Sequence, residues 1–185
     1  MMIKRVVCRS LKSLLGESLI MKKTKKQIEQ AVRSLVEPEI ANLGYEIWDI
    51  EYYSDGGEWL LEITIENPSG RPISTDDCEK VSRAVGPAID QADPIENSYC
   101  LAVGSPGLGR ELKNAFHLGR YMEKEVTVKL FAKNEAVGDK VFHALLKEAG
   151  DEKKNFAFEL LPGLRPIVLA KKEIAHIFAH DEIYI

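Results

Sequence analysis

Cysteine is scarce in this sequence: Cys8, Cys78 and Cys100 are the only three in 185 residues. They are odd in number, widely spaced and contain no Cys-x-x-Cys. They therefore promise neither a disulfide framework nor a zinc ribbon, and a reducing cytoplasm is the natural compartment. Long apolar runs are missing too, and none approaches the ~20 residues that span a bilayer, so no membrane partner is expected. Phosphate-binding signatures are absent. In the loop VGSPGLGREL at 103–112 the glycines fall at Gly104, Gly107 and Gly109, which is not a Gly-x-Gly-x-x-Gly, and no Gly-Lys-Ser/Thr follows.

Candidates for catalysis are equally thin. Cys78 falls on the apolar stripe of a helix, and Cys100 has no histidine close in sequence; buried structural cysteines are far commoner than catalytic ones. His176 and His180 are four apart, a metal-holding spacing on a helix. Their surroundings read as strand, where such residues lie ~13 Å apart. Acidic pairs such as Asp76/Asp77 suit the positive end of a helix better than acid–base chemistry. No catalytic residue, cofactor or metal ligand is therefore expected, and the chain reads as a non-enzyme.

What is abundant is charge, unevenly placed. The chain is 29% charged with a net charge of −4. Residues 1–26 hold eight Lys/Arg against one Glu, residues 27–101 sixteen acidic against four basic side chains, and residues 102–134 six basic against three acidic. So acidic a front half repels phosphate and attracts a basic protein. A basic stretch at 1–21, with Met21 opening MKKTKKQIEQ, is expected to be a disordered or mis-called extension rather than a targeting peptide.

From Gln27 the apolar positions Ile28, Ala31, Val32, Leu35 and Val36 form a helical stripe. Pro38 should kink or restart that helix, and Gly44 should end it in a left-handed cap. YEIWDIEYY and EWLLEITIEN read as strands joined by a hairpin at Ser54-Asp55-Gly56-Gly57. In the second, Leu61, Ile63 and Ile65 should be buried, while Glu62, Thr64 and Glu66 are wet. Ser74 or Thr75 should cap a second helix with the stripe Cys78, Val81, Val85 and Ile89, which Pro87 should bend or stop early. YCLAVG is a third strand. Two helices on one face of a three-stranded sheet is the economical packing.

Beyond the glycine loop, AFHLGRYM reads as a short helix. KEVTVKLFAK, VFHALLKEA, NFAFELL, RPIVLA and finally IAHIFA or EIYI read as strands spaced as in a small barrel. The expected fold is α+β. An αββαβ domain over 22–104 leads through a linker loop and short helix over 105–122 to an all-β small barrel over 123–185. The loop is either a plain turn or a recognition element in which Arg110 offers a forked donor and Ser105 a hydroxyl.

The segments LGYEIWDIEY, STDDCEKVSRAVGPAID, DPIENSYCLAV and SPGLGREL, in that order and spacing, resemble the bacterial ribosome maturation factor RimP family. The resemblance runs from about Lys22 to Ile185 and is strongest through Leu112. It implies the same αββαβ domain and makes the C-terminal barrel an Sm/SH3-like one. It also implies a cytoplasmic, non-catalytic factor, monomeric, that binds the immature small (30S) ribosomal subunit and assists its maturation. The implied partners are a basic small-subunit ribosomal protein, facing Asp49, Glu51, Glu62, Asp76 and Asp77, and ribosomal RNA, facing Ser105, Gly107, Leu108, Arg110, Lys113 and Arg120. A general single-stranded RNA-binding protein of Sm-like type is the alternative. The chain departs from the family in two respects. The family's loop usually reads SPGLDR followed by Pro-Leu, whereas here Gly109 replaces the acidic residue and Glu111 the proline, and the stretch 132–155 departs from the usual pattern of the barrel.

Overall fold

The computed structural model describes residues 4–9, 23–150 and 155–180. Its contacts divide the chain into two compact units, Met1–Gly107 and Leu108–Ile185.

In the first unit, helix α1 (Lys25–Asn42) begins at Thr24 in a capping box with Gln27. It ends as the glycine foretold. Gly44 takes φ +84°, with Gly44 N–H bonded to the Ala41 carbonyl at 2.9 Å and Tyr45 N–H to that of Ile40 at 3.1 Å, a Schellman closure. Strands β2 (Glu46–Asp55) and β3 (Glu58–Glu66) pair antiparallel with Asp55 opposite Glu58. The two-residue turn is Gly56-Gly57, both at positive φ, as a turn matching the twist of the strands requires. Helix α2 (Thr75–Ala92) is capped by Ser74 and delivers the chain to β4 (Tyr99–Gly104), which runs parallel to β3. Ile28, Val32, Val36 and Ile40 of α1 and Cys78, Val81, Val85 and Ile89 of α2 share one core with the Leu61, Ile63, Ile65, Leu101 and Val103 face of the sheet. Each such apolar side chain contributes about 1.5–3 kcal/mol on burial.

Four expectations need correction. The extension expected to lack structure supplies strand β1 (Lys4–Arg9), antiparallel to β4, so the sheet has four strands in the order β1-β4-β3-β2. Cys100 is disulfide-bonded, although the number and spacing of the cysteines gave no sign of a bridge. Cys78 is the buried free thiol, as its place on the stripe implied. The helix neither restarts at Pro38 nor stops at Pro87: α1 continues through the first and α2 through the second. Both prolines are exposed, and the buried stripes run on past them to Ile40 and Ile89, so packing outweighs one lost hydrogen bond. Finally, the second face of β3 is not wet. Glu62 and Thr64 are buried, because β3 is an inner strand with β4 on one side and β2 on the other.

In the second unit, a short helix α3 (Ala115–Arg120) precedes strands β5 (Glu125–Leu130), β6 (Val141–Glu148), β7 (Phe156–Leu160), β8 (Arg165–Leu169) and β9 (Ile174–Ala179). They form an antiparallel sheet in the order β8-β7-β6-β5-β9, with a 3-10 turn at Lys171–Glu173 before the last strand. That order is the SH3-like one. Val126, Val128, Leu130, Ala144, Leu146, Phe156, Phe158 and Ile177 fill its interior. IAHIFA is the final strand; EIYI, the other possibility, lies outside the described residues, as does the stretch 151–154.

Candidate functional site

The carboxylates expected to meet a basic protein fall into two groups. Asp49 and Glu51 are on β2 and Glu62 on β3, with Glu51 directly opposite Glu62 and Asp49 opposite Thr64. These side chains lie on the face turned away from Ile50, Tyr52, Leu61 and Ile63, which alternate with them toward the helices. Glu51 is exposed and Asp49 half-buried, but Glu62 is only 5% exposed. Its carboxylate accepts a hydrogen bond from Tyr53 Oη at 2.8 Å. Burial, then this bond to a negative group, pushes the Tyr53 phenol up to about 12. Glu62 is therefore part of the sheet's own bonding.

Asp76 and Asp77 are in the first turn of α2, where their charge favours the helix. Asp76 is exposed. Asp77 completes a capping box: its Oδ2 accepts from Ser74 N–H at 2.8 Å and its N–H donates to Ser74 Oγ at 3.2 Å. It also accepts from Tyr45 Oη at 2.6 Å and pairs with Arg71 at 2.9 Å. Arg71 first, and the Tyr45 and Ser74 donors with it, hold this carboxyl well below the usual range against a smaller opposing effect of burial. Its work is structural.

The residues expected to meet RNA are split between the units. In the first, Ser105 Oγ accepts from Gly107 N–H at 3.1 Å, closing a small turn in which Gly107 has φ +71°. In the second, Leu108 is 60% exposed and Gly109 has φ +63°. The stretch from Arg110 onward pairs with the last strand of the barrel. The Arg110 carbonyl accepts from Ala179 N–H and Leu112 N–H donates to the Ile177 carbonyl, both at 2.8 Å, and Glu111 bridges Phe178. This segment thus lies along the edge of β9 as a short added strand, and Leu112 is buried. Lys113 is exposed. Arg120, at the end of α3, lies 5.4 Å over the Phe116 ring. In the same helix, His117 is fully buried and its Nδ1 accepts from Lys113 N–H at 3.2 Å.

Two arrangements had no linear signature. Tyr52 and Trp59 stack at 4.7 Å with Lys25 Nζ 5.5 Å above the Trp59 ring, beside a cavity of about 310 Å³. Asn97 reaches into the same place and donates to Tyr52 Oη at 3.3 Å. The histidines also group differently from the sequence spacing. His176 pairs with Glu111 at 2.5 Å, whereas His180 sits beside His143 and Glu125.

A carboxylate-rich unit with two helices on a four-stranded sheet, followed by an SH3-like barrel, defines a two-unit α+β protein. The family model described as the RimP N-terminal domain matches residues 35–109. Those residues, from the middle of α1 through β4 to Gly109, carry the N-terminal domain of the RimP family of ribosome maturation factors. No helix among the described residues is long and apolar enough to cross a membrane.

Proposed function

We propose that this protein is a non-catalytic assembly factor that binds the immature small (30S) ribosomal subunit in the cytoplasm as a monomer. The observation that carries this reading is the RimP N-terminal domain at 35–109. Its charge supports the reading: residues 27–101 hold sixteen acidic and four basic side chains, a complement suited to a basic ribosomal protein. Glu51 and Asp76, both exposed, and half-buried Asp49 are the contacts favoured on that side. Ser105, Gly107, Leu108, Arg110, Lys113 and Arg120 are the candidates for ribosomal RNA, with Lys113 and Arg120 able to meet phosphate.

The test is sedimentation of the purified chain with free small subunits and with translating ribosomes. Co-migration with the first alone is expected, weakening as salt rises because the complementary charges are screened. Charge reversal by Glu51→Lys with Asp76→Lys should weaken it further. A protein that stays at the top of the gradient at low salt, or that binds naked unstructured RNA more tightly than the subunit, overturns the reading.

A further inference from the structure

We propose that Glu125, His143 and His180 form a binding site for a divalent transition-metal ion of the zinc class, on the outer face of the barrel. The site belongs wholly to the second unit and does not depend on the ribosomal reading. β5 is flanked by β6 and β9, and along it Val126 and Val128 point into the core while Glu125 and Thr127 point out. Thr127 is paired in register with His143 of β6. On the other side, His180 N–H donates to the Glu125 carbonyl at 3.2 Å just beyond β9. Sheet pairing thus gathers three ligand-bearing side chains from three segments onto one patch.

The geometry fits a metal. One ligand atom from each of the three lies within 4.8 Å of the others. His180 Nε2 and Glu125 Oε1 are 3.5 Å apart, close to the about 3.4 Å between tetrahedral donors with bonds near 2.05 Å. The two imidazoles meet edge to face, 4.7 Å between centroids. Thr127 Oγ1 lies 3.1 Å from His143 Nδ1 and 3.3 Å from His180 Nδ1. Its two lone pairs can accept both Nδ1–H groups, the tautomer that leaves each Nε2 free for the ion. Two imidazoles and one carboxylate suit zinc, cobalt, nickel or copper rather than calcium or magnesium, which prefer all-oxygen sites. His143 and His180 are exposed and Glu125 half-buried, so the ion can enter from solvent and keep water in its open position.

Tag-free full-length protein titrated calorimetrically with Zn2+ should take up one equivalent, and Co2+ at the same site should show the visible absorption of a tetrahedral complex. His143→Gln and His180→Gln should each lower Zn2+ affinity about a hundredfold, and Thr127→Val about tenfold through lost orientation. His176→Gln, a histidine paired elsewhere, should leave it unchanged. Nitrogen hyperfine splitting from two imidazoles in Cu2+-loaded wild type gives a readout that needs no variant. Absence of stoichiometric uptake by the wild type, or affinity unaltered in His143→Gln and His180→Gln, overturns the proposal.

Discussion

Tyr45 Oη donates to Asp77 Oδ1 at 2.6 Å, tying the turn that ends α1 to the turn that begins α2. The residues are 32 apart in sequence, and each serves a second purpose. Tyr45 N–H closes the Schellman turn on Ile40, while Asp77 caps α2 and holds Arg71. One contact therefore fixes both helix ends against each other, on the side of the sheet where both helices lie.

Asp77 also predicts an acid sensitivity. Its folded pKa lies below the unfolded value of about 3.9, so the folded state holds this proton less tightly. The stabilisation is whole above that value and fades as pH falls through the folded pKa. Asp77→Ala should cost about 1–3 kcal/mol at pH 7 and much less at pH 2. Urea unfolding of both proteins at the two pH values checks it; an equal difference at both contradicts the assignment.

A second long-range bond guards the sheet edge. Among the described residues β2 is the last strand in its sheet, and Tyr52 N–H, on its outer edge, donates to Glu29 Oε1 of α1 at 2.9 Å. Glu29→Ala should destabilise by about 1–2 kcal/mol, the cost of stranding a half-buried donor. Glu29→Gln, which keeps an acceptor oxygen, should recover most of it. Equal losses from both variants in denaturant titrations would assign the effect to charge instead.

These bonds show where sequence reading ends. Periodicity located the helices, the hairpin and most barrel strands, because burial imposes a period of 3.6 or 2 on the apolar residues themselves. Gly44 and Gly56-Gly57 were legible because positive φ selects glycine. Glu62 was misread because alternation alone cannot tell an inner strand from a half-wet one. Strand β1 was missed because a short segment added to a sheet is specified by the sheet's open edge as much as by its own residues. The Glu125, His143 and His180 group comes from three segments, and no linear spacing encodes it. Asp77 illustrates a subtler limit: its place near the helix start was visible, but its Tyr45 and Arg71 partners were not.

The prolines give a prediction of opposite sign. Pro38 is exposed inside α1 and withholds a backbone donor from the Ser34 carbonyl four residues earlier. Pro38→Ala restores that donor and removes the ring's clash, offset in part by greater freedom of the unfolded chain. The variant should be more stable by about 1–2 kcal/mol, visible as a raised urea midpoint with unchanged slope. A lowered midpoint would mean that the proline is built into the packing of α1.

Gly109, where RimP loops usually carry aspartate, separates backbone from side-chain demands. Its φ of +63° is left-handed, and a Cβ built there would meet no atom within 4 Å. The first atom of a side chain there thus meets only its own backbone, and the cost of the left-handed φ dominates. Aspartate enters this region readily because its short side chain bonds locally, whereas a β-branched residue does not. Gly109→Asp should cost about 1 kcal/mol or less, and Gly109→Val about 2 kcal/mol. For a chain of this length each kcal/mol lowers the melting temperature by about 2–4 °C, so a thermal scan distinguishes the two. Equal shifts would show that the loop does not hold this φ in solution. A large loss for aspartate alone would show instead that its negative charge, next to Glu111, is what the loop rejects.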